Sequence, residues 1–254
     1  MTFLDWITSS YPNPDIDGQW GLWHILVLVL SIAIIVTLAL TVRNKSEKAR
    51  NIAMYTLVGL ILFFEIARRI INLCKNTDHT LDSYLYILLP RPWCAIACWS
   101  LIIAAIFRKQ FLFNFASFSA LLCAVIFFAY PGAGFNNKYF LFENIYSIST
   151  HALLLITSIS LITLRFTDFK FKTMWKELIC LAVIFVYACL EIWVLKTNDD
   201  PLYFMPGNDV QDILGLPYGG FLPIYIVFMA IWVCSFYLIN DRKTVKSVFN
   251  KKQK

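Results

Sequence analysis

The sequence predicts an all-α, polytopic membrane protein with seven transmembrane helices. Its 254 residues are 59% hydrophobic and only 15% charged, and the mean hydropathy is +0.66. A soluble domain carries about 25% charged residues, so this composition excludes an ordinary soluble enzyme. The apolar residues fall in runs of about 20, the length that a helix needs to cross about 30 Å of hydrocarbon. Backbone groups inside a bilayer must be satisfied within their own segment, so each run is predicted to be helical.

Seven apolar segments carry this prediction. In chain order they cover 22–42, 52–73, 85–107, 111–130, 144–164, 176–196 and 221–240. Pro90 and Pro92 lie near the start of the third segment, where a missing amide donor does least harm. The predicted organisation is an extracytoplasmic N-terminal segment of residues 1–21, a transmembrane domain of residues 22–240 and a basic cytoplasmic tail of residues 241–254.

The basic residues predict the direction in which the helices cross. Loops 43–51, 108–110 and 165–176, together with the tail, hold sixteen of the 22 Lys and Arg residues, and the loops on the other side hold three. Cytoplasmic loops are enriched in Lys and Arg, which predicts an outside N-terminus and a cytoplasmic C-terminus. We expect the chain to lie in a cell membrane, the cytoplasmic membrane of a bacterium. We expect no nucleic-acid partner, because the basic residues form no separate domain.

Ionisable and nucleophilic groups inside the apolar segments collect toward the predicted outer end of the bundle. They are His24, Glu65, Arg68, Arg69, Arg91, Cys94, His151 and Glu191. The opposite half is predicted to hold little beyond scattered Ser and Thr. A charged side chain at the bilayer centre costs at least about 2.5 kcal/mol, so this group predicts either a functional site or a buried ion network.

Cys94 and His151 are the candidate catalytic pair. At about 1.5 Å of rise per residue, they are predicted to lie roughly 14 Å and 10 Å below the outer end. The thiolate is the reactive form of cysteine, and a neighbouring imidazole can take the thiol proton. Glu65 or Glu191 could orient the imidazole as a third member. The alternative is that Cys94 packs as a small apolar residue and that the carboxylates belong to structural ion pairs.

The arginines have two possible roles. Arg68 and Arg69 lie three and four residues after Glu65, on the same helix face, so they can neutralise its carboxylate. Arg68, Arg69 or Arg91 could instead bind a lipid phosphate, because a guanidinium pairs with two oxygens at once. His24, at the start of the first segment, is either a supporting polar group or an interfacial residue within an aromatic belt.

Five short motifs resemble those of the YwaF family of bacterial integral membrane proteins, whose eukaryotic relative is transmembrane protein 164. They are Trp23-His24, Glu65-Ile-Ala-Arg68-Arg69, Leu88-Leu89-Pro90-Arg91-Pro92-Trp93-Cys94, Thr150-His151, and Tyr203-Phe204-Met205-Pro206 followed by Leu214-Gly215-Leu216-Pro217. The eukaryotic relative is regarded as a phospholipid acyltransferase that uses an intramembrane Cys and His. The resemblance implies that Cys94 and His151 are their counterparts.

We therefore expect a membrane-embedded acyltransferase that moves a fatty acyl group between lipids, with a phospholipid or lysophospholipid as its partner. We expect no cofactor and no metal, because no CxxC pair or Cys/His ligand spacing is present. Three alternatives remain open: a lipid hydrolase with the same Cys–His pair, a non-enzymatic membrane protein that binds a solute or lipid, and a structural protein with a buried ion network. The apolar connection 197–220 is expected either to fold back over the outer mouth or to form a simple surface loop.

Overall fold

The computed structural model describes residues 20–129, 135, 142–195 and 202–241, and within these ranges it contains helices and turns but no β-strand. The helices are α1 (Leu22–Thr41), α2 (Glu47–Lys75), α3 (Leu81–Leu88), α4 (Trp93–Phe107), α5 (Gln110–Ala129), α6 (Phe142–Thr163), α7 (Met174–Cys189), α8 (Asp209–Leu214) and α9 (Tyr218–Asn240). A 3₁₀ turn, Phe171–Thr173, precedes α7, and a π-helical turn, Leu190–Val194, follows it. The all-α prediction is confirmed for this part of the chain. The predicted N-terminal segment and basic tail lie almost wholly outside the described residues.

Five helical stretches are long and apolar enough to cross a membrane. They are Leu22–Thr41, Gln110–Ala129, Phe142–Thr163, Phe171–Val194 and Tyr218–Asn240. The bent pair of α3 and α4 adds a sixth if it forms one broken span. The helix at the remaining predicted segment, α2, is 29 residues long and carries three charged residues in its last third. The chain is thus a multi-pass membrane protein, while the seventh crossing and the sides of the termini stay predictions.

The third predicted segment is not one continuous helix. Helices α3 and α4 meet at an angle of 61°, so the prediction of an unbroken helix over 85–107 is wrong. A residue before proline disfavours the helical region, and Leu89, which precedes Pro90, is extended with a ψ of 145°. Pro92, the N-cap of α4, is also extended, with a ψ of 150°. The new helix begins at Trp93. Cys94 therefore lies in the first turn of a new helix, α4, rather than within a continuous helix.

Helix α6 is the centre of the bundle. It packs against α1, α2, α4 and α5, and α5 packs in turn against α4 and α7. Most residues of the apolar windows in α5 and α6 are buried, 72% and 61%, against 17% in α1 and 11% in α9. The peripheral helices therefore present their apolar side chains outward, as helices in contact with lipid do.

A buried polar cluster closes the end of the bundle opposite the predicted outer face. The Asn114 amide on α5 donates to Glu177 Oε1 on α7 at 2.8 Å and to Asp168 Oδ1 at 3.1 Å. The Asn114 oxygen accepts from the Asp168 backbone N–H at 3.0 Å. Asn114, Glu177 and the neighbouring Tyr237 are fully buried. The expectation that this half holds little beyond Ser and Thr is wrong.

Candidate active site

One cavity of about 880 Å³ opens at the predicted outer end of the bundle. The C-terminal half of α2, the α3–α4 break, the first half of α6 and the connection before α8 all contribute to its wall. Two regular stripes of side chains face it. They are Arg68, Ile71, Asn72 and Lys75 on α2, and Glu143, Tyr146, Ser147, Thr150 and His151 on α6. Both follow the i, i+3, i+4, i+7 spacing that places residues on one helix face.

Cys94 lines this cavity from the first turn of α4. Its residue is partly exposed, whereas Cys98, one turn later, is fully buried. The first turn of a helix carries backbone N–H groups without intrahelical partners. The break at Pro90 and Pro92 thus places this thiol at a helix N-terminus and beside open space.

His151 lines the same cavity from the middle of α6, which contacts α4 directly. Its Nδ1 lies 2.8 Å from the Ser147 carbonyl oxygen, one turn earlier. Its ring stacks on Phe127 at a centroid distance of 3.9 Å and an interplanar angle of 7°. An N–H at Nδ1 that donates to a carbonyl leaves Nε2 as the nitrogen that can accept a proton. A backbone carbonyl thus orients the imidazole, where the sequence had pointed to Glu65 or Glu191.

Glu65 is fully buried and holds its neighbours in place without lining the cavity. Tyr146 donates its hydroxyl to Glu65 Oε1 at 2.7 Å, and Arg69 pairs with the other carboxylate oxygen. Arg68 then lies 5.3 Å over the Tyr146 ring, within range of a cation–π contact. Among the described residues, no carboxylate lies within ion-pair distance of Arg68. Its charge therefore faces the cavity.

The other two predicted arginines, Arg69 and Arg91, contact α3 and hold it against the bundle. Arg69 Nε donates to the Leu88 carbonyl at 3.2 Å, satisfying one of the last carbonyls of α3. Arg91 lies 4.3 Å over the Tyr86 ring, is only 5% exposed and lines the cavity. Of the three candidates for phosphate binding, Arg68 and Arg91 reach the cavity and Arg69 does not.

Glu191 and His24 lie away from the cavity wall. The π-helical turn carries Glu191, which is fully buried and accepts from the Tyr187 hydroxyl at 2.5 Å. His24 is also fully buried, with ring centroids 4.9 Å from Trp20, 5.0 Å from Phe135 and 5.8 Å from Phe128. The structure therefore places His24 in an aromatic cluster next to the site.

The long connection is described from residue 202 onward, and its residues 202–208 fold back over the cavity. Asn208 donates to the carbonyls of Tyr203 and Met205 at 3.0 and 2.6 Å. Tyr218 on α9 donates to the Phe204 carbonyl at 2.8 Å. Gly207 has a φ of +78°, a backbone angle that residues with a side chain rarely adopt. The cavity is lined by four residues of this loop, Tyr203, Met205, Gly207 and Asn208. These hydrogen bonds therefore hold the loop against the cavity.

Several residues of the site were not predicted from the sequence. Tyr146 and Ser147 share the helix face of His151, and the spacing 143, 146, 147, 150, 151 could have identified them. Phe127 carries no comparable signal, because one more Phe in an apolar helix is expected to be core. Within the described ranges, no group of three His, Cys, Asp or Glu residues could hold a metal ion.

The resemblance seen in the sequence can be compared with known protein families. The model of the TMEM164 family matches residues 19–240. This range includes all five motifs and every helix that lines the cavity. Comparison with curated proteins and with solved structures gave no significant match. The match confirms the predicted relationship to transmembrane protein 164, and the chain belongs to the TMEM164 family.

Proposed function

We propose that this protein is a lipid acyltransferase of a bacterial cytoplasmic membrane and that Cys94 and His151 carry the reaction. The observation that supports this most strongly is that both side chains line one cavity, from helices that pack together. A nucleophile and a base that face a shared space are the parts that covalent acyl transfer needs.

In the first half-reaction, His151 Nε2 takes the Cys94 proton and the thiolate attacks the ester carbonyl of a donor phospholipid. The ester C–O bond breaks, an S-acyl bond forms on Cys94, and the leaving lysophospholipid alkoxide takes the proton from the imidazolium. In the second half-reaction, His151 deprotonates the hydroxyl of an acceptor lipid, which attacks the thioester. The C–S bond breaks, and the His151 imidazolium returns its proton to the Cys94 thiolate.

Arg68 is the proposed phosphate-binding residue. Its guanidinium lies over Tyr146 and has no carboxylate partner within ion-pair distance among the described residues. The cavity wall carries Arg68, Lys75 and Arg91 against one acidic residue, Glu143. This positive balance suits the phosphodiester that every phospholipid carries, and a guanidinium can donate to two of its oxygens. Glu65 supports this arrangement indirectly through Tyr146 and Arg69.

Replacing Cys94 tests the proposal directly. We expect Cys94→Ala to lower acyl transfer in proteoliposomes by at least about 1,000-fold, because the covalent intermediate cannot form. The matched control is Cys98→Ala, one turn along the same helix, which should retain transfer. Intact mass measurement after incubation with phospholipid should find a hydroxylamine-sensitive acyl adduct on the wild type. Full transfer by Cys94→Ala would contradict the mechanism, and binding without an adduct would favour a non-enzymatic lipid-binding protein.

Hydrolysis is a second candidate function, favoured by polar side chains on the cavity wall. Asn72, Lys75, Asn76 and Asn208 line the same cavity as Cys94, so water can reach the same thioester. A labelled lysophospholipid acceptor separates the two activities. A transferase converts the label to diacyl phospholipid, whereas a hydrolase releases free fatty acid and leaves the acceptor unchanged.

A further inference from the structure

Helix α3 exposes apolar side chains that no described residue covers. Leu81 is 72% exposed, Tyr86 59% and Leu88 50%, and no residue of α3 is buried. Its eight residues span about 12 Å at 1.5 Å each, far less than the roughly 30 Å of a bilayer core. Helix α3 is therefore neither a core helix nor a complete span.

Polarity changes sharply along this part of the chain. Residues 76–80 read Asn-Thr-Asp-His-Thr, and 77–80 are exposed. Thr80 caps α3 by accepting from the Ser83 backbone N–H at 3.2 Å. From Tyr84 to Pro90 the chain is apolar, and α3 and α4 together have the hydropathy of a span. This gradient is that of a helix that begins at the water surface and descends into lipid, with Tyr86 at the depth of an aromatic belt.

Helix α3 also forms part of the cavity wall. Tyr86, Ile87 and the following Leu89 line the cavity, whereas Leu81 and Leu88 do not. The hydrogen bond from Arg69 to the Leu88 carbonyl and the contact of Arg91 with Tyr86 hold the helix in this place. Helix α3 thus has one side toward the cavity and another side toward the surroundings of the bundle.

We infer that α3 lies in the lipid at the edge of the cavity and that the acyl chains of a bilayer phospholipid reach Cys94 past this helix. Lipid is the expected occupant because α2, against which α3 packs, also presents apolar side chains outward. Ile66 is 46% exposed and Ile70 is 55% exposed. The access route rests on the proposed function, whereas the position of α3 in lipid does not.

Photo-crosslinking tests the position of α3 without any need for activity. The residue p-benzoylphenylalanine replaces Leu88 in one variant and Leu81 in a second, both at exposed positions. The control carries it at His79, in the exposed polar stretch before the helix. In proteoliposomes of phospholipid with radiolabelled acyl chains, we expect several times more label on the variant at 88 than on the control, with the variant at 81 between them. Equal labelling, or cross-links only to a second copy of the chain, would overturn the inference.

The access route has its own test. Leu88→Asp puts a charge on the lipid-facing side of α3 and leaves the cavity wall unchanged. We expect the ratio of transfer from long-chain phospholipid in vesicles to transfer from a short-chain, monomeric phospholipid to fall by about tenfold, because the charge disfavours the membrane position of the helix. An unchanged ratio would overturn the route. If the wild type transfers no acyl group from either donor, the proposed function fails, and the cross-linking still decides where α3 lies.

Discussion

Buried carboxylates occur at both ends of the bundle, Glu65 beside the cavity and Glu177 at the opposite end. At the cavity end, Glu65 pairs with Arg69 and with the Tyr146 hydroxyl, and the charge of Arg68 is left facing open space. At the opposite end, Asn114 bridges Glu177 and Asp168, and none of the three lines the cavity. Burial of polar groups therefore does not by itself mark a site. The cavity end differs because some of its charged and hydrogen-bonding side chains line a space that a ligand can occupy.

The largest effect expected from this comparison is the loss of His151. We expect His151→Gln to lower kcat for acyl transfer by about 100- to 10,000-fold, because the general base is removed. Initial rates with a labelled donor phospholipid measure it, and the yield of folded protein should be unchanged. His79→Gln, in the exposed loop before α3, is the control. Retained kcat in His151→Gln would break the assignment of the cavity end as the reactive one.

The opposite end should respond in stability rather than in catalysis. Asn114→Leu leaves the buried Glu177 carboxylate and the Asp168 N–H without their amide partner, which should lower the free energy of unfolding by about 3 kcal/mol. Graded unfolding in detergent micelles measures this change. Asn240→Leu, at the exposed end of α9, should change stability by less than about 0.5 kcal/mol. A lower kcat for the Asn114→Leu protein that remains folded would show that the two ends are coupled.

Arg68 should affect substrate binding more than folding. Removing its charge with Arg68→Met is expected to raise KM for phospholipid by about 10-fold or more, because a charge-assisted contact to phosphate is lost. Vesicle titrations of the transfer rate give KM, and thermal unfolding checks the fold. Lys172→Met, an exposed change at the opposite end, serves as the control. An unchanged KM would assign phosphate binding to another cavity cation.

The smallest effect is expected at Tyr146. Tyr146→Phe keeps the ring under Arg68 but removes the hydroxyl that donates to Glu65, which should cost about 1 kcal/mol of stability. KM should stay nearly constant because the cation–π contact remains. Tyr146→Leu removes the ring as well, so it should raise KM in addition. A KM that rises equally in both variants would mean that the hydroxyl itself contacts the substrate.

Much of the helical content could be predicted from the sequence, because a run of about 20 apolar residues has few stable forms in a bilayer other than a helix. The segments 144–164 and 221–240 differ from the observed α6 and α9 by only a few residues at either end. The segment 85–107 was the exception. Pro90 and Pro92 indicate a disturbed helix start, but the size of the bend, 61°, is visible only in the backbone geometry.

The candidate site also contains some features that the sequence predicted and others that it could not predict. His151 and Arg68 were predicted from residue types that are rare inside a span, and Cys94 from its depth together with the family resemblance. All three line one cavity. The partner of His151 Nδ1 could not be predicted, because the Ser147 carbonyl belongs to the backbone and leaves no mark in residue type. Glu177 was overlooked because it follows a basic stretch near a predicted span end, where a carboxylate is usually exposed.

The sequence by itself determined that this chain is a multi-pass helical membrane protein, which family it belongs to and which residues are costly to bury. Composition and hydropathy depend on residue type alone, so they are visible before any folding. The tertiary structure decided which arginine faces the cavity, which carboxylates are already paired and where Cys94 lies on its helix. Each of these depends on the side chains that neighbouring helices bring within a few ångströms, and those distances between helices are set by packing rather than by order along the chain.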